Sequence, residues 1–177
     1  QYEHLASYPT SYIPCNGTSA SRAGDLPKVT GVSDLIGQTE GTLFVDVDFN
    51  GYNLSISQTP IFVRTSGANT SYAFINFYLG KVNVGFRIGG STLFDVLVGS
   101  TLSQGRYKIA FAYKSGDLVT YINGSLIDTR TSAFGTTSFA DVHLGGVSGN
   151  QLGDGHRQAL LFKTRLTNAE LAALTTL

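Results

Sequence analysis

RYKIAFAYKSGDLVTYINGSLIDTR, residues 106–130, reads as three short strands joined by two tight turns. Tyr107, Ile109, Phe111 and Tyr113 alternate with Arg106, Lys108, Ala110, Ala112 and Lys114, a period of two. Ser115-Gly116-Asp117 breaks the run. Leu118 to Ile122 is rich in β-branched and aromatic residues. Asn123-Gly124 then signals a type I′ hairpin, whose two central residues both need φ above zero. Ser125 to Arg130 returns as the third strand. A meander cannot bury an apolar face alone, so the rest of the chain must supply a second sheet.

Working outward, the strand pattern repeats. In Glu40 to Asn50, Leu43, Val45, Val47 and Phe49 share one face and Thr42, Phe44, Asp46 and Asp48 the other. The first set faces the core, because two buried unpaired carboxylates cost several kcal/mol. Pro60 to Arg64 is a short strand. Ser71 to Leu79, Val82 to Ile88 and Leu93 to Val98 form a second meander, turning at Gly80-Lys81 and Gly89-Gly90. Val32 to Ile36 and Ser19 to Asp25 read as short strands, and Asp141 to Gly145 as another with Val142 and Leu144 inward. Gly146 to Gly155 is a glycine-rich loop, and His156 to Lys163 is the last strand. Thr167-Asn-Ala-Glu170 fits a capping box, which predicts a terminal helix over 167–175. About a dozen strands with regular turns predict a sandwich of two antiparallel sheets. The expected inter-sheet core comprises Leu43, Val45, Val47, Val84, Phe86, Leu144, Phe162 and either Val119 and Tyr121 or their alternates. With no repeat or linker, 1–177 is expected to be one domain, residues 1–26 being its entry segment.

Composition narrows the function. The chain has 177 residues, 42% hydrophobic and 14% charged, with 21 glycines and zero net charge. The neutral balance argues against nucleic acid or an anionic membrane as partner. Cys15 is the single cysteine, so no intrachain disulfide and no cysteine zinc site is available. No run of apolar residues is long enough to span a bilayer as a helix. Methionine is absent and the chain starts at Gln1, which reads as a piece of something longer.

Two segments together carry a family resemblance. Residues 106–174, with the meander, VHLGG and ALLFKTRLTNAEL, resemble the C-terminal half of a laminin-G-like or concanavalin A-like jelly roll. YPTSYIPCNGTSASRAGD, residues 8–25, resembles the entry segment of such domains in bacteriophage tail fibres, where a TSYIPT phrase precedes TRAAD; here Cys15 and Ala23-Gly24-Asp25 depart from it. The resemblance implies an all-β jelly-roll sandwich. It also implies an extracellular virion appendage, trimeric and joined to an upstream virion protein. Its expected role is non-catalytic recognition of bacterial surface glycan. A decoration or trimerisation domain without a sugar ligand, and a divergent glycan hydrolase, are the alternatives.

Candidate sites follow from chemistry. Tyr72, Asn76 and Tyr78, with Asn83 and Arg87 on the next strand, form an amphipathic outward face. Aromatic rings there can stack on sugar C–H faces, while amides and guanidinium bond hydroxyls. The plain alternative is a face covered by loops or by a partner. Asp46 and Asp48 stand on alternate positions, as paired glycosidase acids do, against a plain reading as a solvated polar face. His143, Asn150, Asp154 and His156 flank the glycine-rich loop. Rim calcium is common in the resembled family, but only Asp154 supplies a charge within 146–155, so no metal or other cofactor is expected. The two histidines are expected at the surface.

Overall fold

The computed structural model describes residues 27–49, 55–145 and 155–177, together with Gly17 and Gly51. The expected strand at 19–25, the entry segment, Cys15, Asn150 and Asp154 lie outside the described residues. Eleven strands are described: β1 (Lys28–Val29), β2 (Glu40–Phe49), β3 (Gln58–Arg64), β4 (Tyr72–Tyr78), β5 (Lys81–Ile88), β6 (Ser91–Val98), β7 (Gly105–Lys114), β8 (Asp117–Ile122), β9 (Ser125–Arg130), β10 (Asp141–His143) and β11 (Gly155–Phe162). One α-helix is described, α1 (Asn168–Thr175). The strands form a six-stranded sheet, β1-β10-β3-β4-β5-β6, and a five-stranded sheet, β11-β2-β7-β8-β9, with every described pairing antiparallel.

The opening stretch folds as read. Phe111 pairs with Thr120, Asn123 and Gly124 take φ of 47° and 81°, and β9 returns alongside β8. The second meander turns one residue earlier than expected, at Leu79-Gly80 rather than Gly80-Lys81. Leu79 holds φ 51°, so an exposed leucine occupies a left-handed position that usually favours glycine or asparagine. Val32–Ile36 is not a strand; Ser33–Leu35 is a turn of 3-10 helix. Its Val32 N–H donates to Ala140 O, which places this segment beside the chain leading into β10.

Leu43, Val45, Val47 and Phe49 face Ile61, Val63, Ala73, Ile75, Phe77, Val82, Val84 and Phe86 across the two sheets, all nearly sealed from solvent. On β8 the inward set is the alternate one. Leu118 and Ile122 join this core, whereas Val119 and Tyr121 face the opposite way. Phe162 is likewise corrected: it packs under the helix, while Ala159 and Leu161 turn inward. Leu144 packs at the margin of the inter-sheet core.

The outer face of the five-stranded sheet has its own cluster, because α1 lies on it. Phe44, Ala110, Ala112, Val119, Tyr121 and Leu171 are buried together. Two alanines at the middle of β7 remove bulk where the helix must approach. The capping box forms: Thr167 Oγ1 accepts from Glu170 N–H at 3.3 Å, and Thr167 N–H donates to Glu170 Oε2 at 2.7 Å. The Asn123-Gly124 hairpin tip is tied to the same helix, Gly124 N–H donating to Thr175 Oγ1 at 3.0 Å.

Candidate binding face

The six-stranded sheet turns a second face outward, and cross-strand register sets its composition. One row runs Lys28–His143–Phe62–Phe74–Gly85–Asp95 across all six strands. The next runs Asp141–Arg64–Tyr72–Arg87–Thr92. Beyond the aromatic row on the other side, Asn76 stands opposite Asn83 and Asn83 opposite Leu97, and Tyr78 stands opposite Lys81. Tyr72, Asn76, Tyr78, Asn83 and Arg87 therefore share this face. Tyr72 and Tyr78 are six positions apart, about 20 Å along the strand, so they mark two ends of a surface and not one platform.

Phe62, Tyr72 and Phe74 pack together, with ring centroids 5.5–6.1 Å apart. Phe74 lies flat over β5 because Gly85 has no side chain: a Cβ there would meet the ring at 2.3 Å. The Arg87 guanidinium sits over the Tyr72 ring, 5.8 Å from its centroid, and donates through Nη2 to Gly90 O at 2.8 Å. Arg64 Nη1 donates to Asn69 Oδ1 at 3.2 Å, and its Nε lies 3.8 Å from Asp141. Asp141 Oδ2 accepts from Gly67 N–H at 3.0 Å. Asn83 Nδ2 donates to Asp95 Oδ1 at 3.0 Å, and Asn76 Nδ2 donates to Ser57 Oγ.

The centre of the face is buried and its ends are open. Phe62, Phe74, Asn76 and Asn83 are 6–7% exposed, whereas Tyr78 is 39% exposed and Tyr72 and Arg87 are half-buried. The sequence reading missed Phe62, Arg64, Asp95 and Asp141. The alternation within Pro60 to Arg64 marks Phe62 and Arg64 as one face, but only the β3–β4 register shows that they join Tyr72.

No family model matches the sequence, and no curated protein matches it. Solved structures do. The CBM40 domain of the Ruminococcus gnavus IT-sialidase is 16% identical, with a TM-score of 0.62 over 78% of this chain and 84% of that one. Domains LG4-5 of the mouse laminin alpha1 chain are 12% identical, with a TM-score of 0.64 over 82% of this chain and 41% of that one. The binding domain of botulinum neurotoxin serotype D/C is 14% identical, with a TM-score of 0.63 over 84% and 40%. The fold is a jelly-roll sandwich.

In this sandwich Asp46 and Asp48 lie on the other outward face, that of the five-stranded sheet. The expectation of a solvated polar face fails for Asp46, which is 4% exposed. Arg106 grips it with both arms, Nε to Oδ1 at 2.8 Å and Nη2 to Oδ2 at 2.6 Å. Asp48 pairs with Arg157 at 2.9 Å. The hydrogen bonds and charge of Arg106 hold the Asp46 carboxyl below its usual range, despite the opposing cost of burial. A glycosidase acid needs the reverse, a carboxyl that keeps its proton.

A depressed folded pKa gives stability that is present above the unfolded value, near 3.8, and lost as pH falls through the folded value. Asp46→Asn is therefore expected to melt lower than the parent at pH 7. The gap should narrow below about pH 4, where carboxylates of ordinary pKa begin to protonate. Parallel thermal melts across pH 2–7 check this, and a gap constant with pH would mean that the pair contributes nothing ionic.

Of the rim group, only His143 and His156 are among the described residues, and they stand on strands of different sheets. His143 is 3% exposed, contrary to its expected surface position, because it stands in the outward row edge-on to Phe62. Burial, then the charges of Arg64 and Lys28, lower its pKa. His156 is exposed on β11, in the other sheet, and its Nε2 lies 2.8 Å from Pro60 O. Among the described residues no group of three or more His, Cys, Asp or Glu converges as metal ligands do.

Proposed function

We propose that the chain is a non-catalytic recognition module that binds carbohydrate along the outward face of the six-stranded sheet. The observation that carries this is the placement of Tyr72, Arg87 and Tyr78 at the open ends of a face whose middle holds Asn76 and Asn83. Support comes from structures of the same fold. The R. gnavus CBM40 domain has been solved bound to alpha2,3 and alpha2,6 sialyllactose, and cell entry of botulinum neurotoxin type C depends on two ganglioside molecules. The resemblance of residues 8–25 supports the setting: a phage tail fibre or similar virion appendage, outside the cell, whose target is a bacterial surface glycan. Each contact is weak, and copies held as a trimer on an upstream virion protein raise avidity through effective concentration. The reading needs neither metal nor cofactor.

The test is Tyr72→Ala with Tyr78→Ala, first confirmed as folded by circular dichroism. Losing two stacking contacts should weaken binding to an array of bacterial surface glycans by roughly 5- to 160-fold, since such contacts are worth about 0.5–1.5 kcal/mol each. Unchanged binding by the folded double variant sinks this site.

A structural role in the virion is the second reading. It is favoured by two of the four described edge strands, β6 and β9, which carry exposed Leu97, Leu126 and Ile127. Unpaired edges with apolar side chains invite contact between copies. Light scattering should then show an oligomer at high protein concentration, and a strict monomer would remove this reading.

A further inference from the structure

The outward face is not neutral, although the chain is. Lys28, Arg64, Lys81 and Arg87 point from it, against the carboxylates Asp95 and Asp141. Both carboxylates are already engaged, Asp141 by the Gly67 N–H and Arg64, and Asp95 by the Asn83 amide. Arg87 takes part in no ion pair among the described residues. Its guanidinium is nonetheless fixed, held over Tyr72 and anchored to Gly90 O.

A second observation is independent of the charge count. Arg87 Nε, Asn76 Oδ1 and His143 Nε2 are sealed from solvent and have no hydrogen-bond partner among the described residues. Asn76 and His143 are themselves more than nine-tenths buried. Buried polar atoms almost always have partners; Arg64 Nε and Asp141 Oδ1 on this face lack them among the described residues as well, and all of these sealed atoms mark the polar character of the face and are not themselves ligand contacts.

We propose that the glycan bound on this face is acidic, with a sugar carboxylate received by the Arg87 guanidinium at one open end and the uncharged remainder of the oligosaccharide directed toward Tyr78 at the other. This rests on the carbohydrate reading above and narrows it. With Nε sealed and Nη2 already donating to Gly90 O, the guanidinium held in place offers a carboxylate its Nη1–H and remaining Nη2–H at little entropic cost. The distance from Tyr72 to Tyr78, about 20 Å, suits several linked sugars and exceeds one.

Calorimetric titration with paired probes separates the proposal from the reading beneath it. The pairs are 3′-sialyllactose against lactose, and digalacturonate against its carboxyl-reduced form. At least one acidic probe should bind ten-fold or more tightly than its neutral counterpart. That gap should shrink in high salt, close in Arg87→Gln, and be restored only in part by Arg87→Lys, which keeps the charge but not the fork. The melting temperature of each variant shows that it is folded. Equal affinity within both pairs overturns the acidic ligand and leaves carbohydrate binding standing. A preference that survives Arg87→Gln overturns the assignment of the carboxylate to Arg87. No binding to any probe, together with none on the glycan array, overturns both.

Discussion

Val45→Asp is expected to leave no folded protein at room temperature. Val45 has no exposed surface and lies mid-strand on β2, opposite Ile109 on one side and Ala159 on the other. Every neighbour across the sheets is apolar. An aspartate there loses the burial of a valine, about 1.5–3 kcal/mol. It must also either stay ionised without a partner or take up a proton, which adds several kcal/mol. Domains of this size carry roughly 5–15 kcal/mol in all. Circular dichroism and a thermal melt decide the matter: a cooperative transition within a few degrees of the parent would mean that β2 presents its other face to the core.

The second large effect is expected at Phe86. Its ring is fully buried and meets five others, Phe94, Phe111, Tyr113, Phe134 and Phe139, at centroid distances of 4.8–6.1 Å. It joins the six-stranded sheet, the five-stranded sheet and the segment between β9 and β10. Phe86→Ala should cost about 3–5 kcal/mol, because surrounding rings from three directions cannot collapse together into the space. Urea denaturation should show a lower midpoint at an unchanged slope. A loss below about 1 kcal/mol would show that the neighbours close the cavity.

What was legible in the sequence was whatever repeats locally. Alternation on β2, β4 and β5 assigns inward and outward faces correctly, since a strand with one sealed face has one tolerable register. Asn123-Gly124 and the Thr167–Glu170 box are likewise local devices and form as read. The misreadings have a common physical origin in partners distant along the chain. Val119 and Tyr121 look like core residues until a helix covers them, and Asp46 looks solvated until Arg106 reaches across from the next strand. The candidate face was half visible. Tyr72, Asn76, Tyr78, Asn83 and Arg87 lie on one hairpin, so period and turn place them together. Phe62, Arg64, Asp141 and His143 enter through the pairing of β3 with β4 and with β10, which nothing local announces.

The closure of β2 by β11 and α1 bears on how the molecule is made. Thr42 Oγ1 donates to Thr164 O, a bond that spans 122 positions. At about 5–20 residues per second, the ribosome takes roughly 6–24 s to produce the second partner after the first. Throughout that interval the nascent sandwich has β2 as an open edge, with Phe44, Val119 and Tyr121 uncovered for want of α1. Neighbouring nascent chains on one message hold the same edge in the same state, so a C-terminal strand released from one chain can pair with β2 of another. Yield should therefore fall as translation crowds more copies together, and slower initiation or added holdase should restore it.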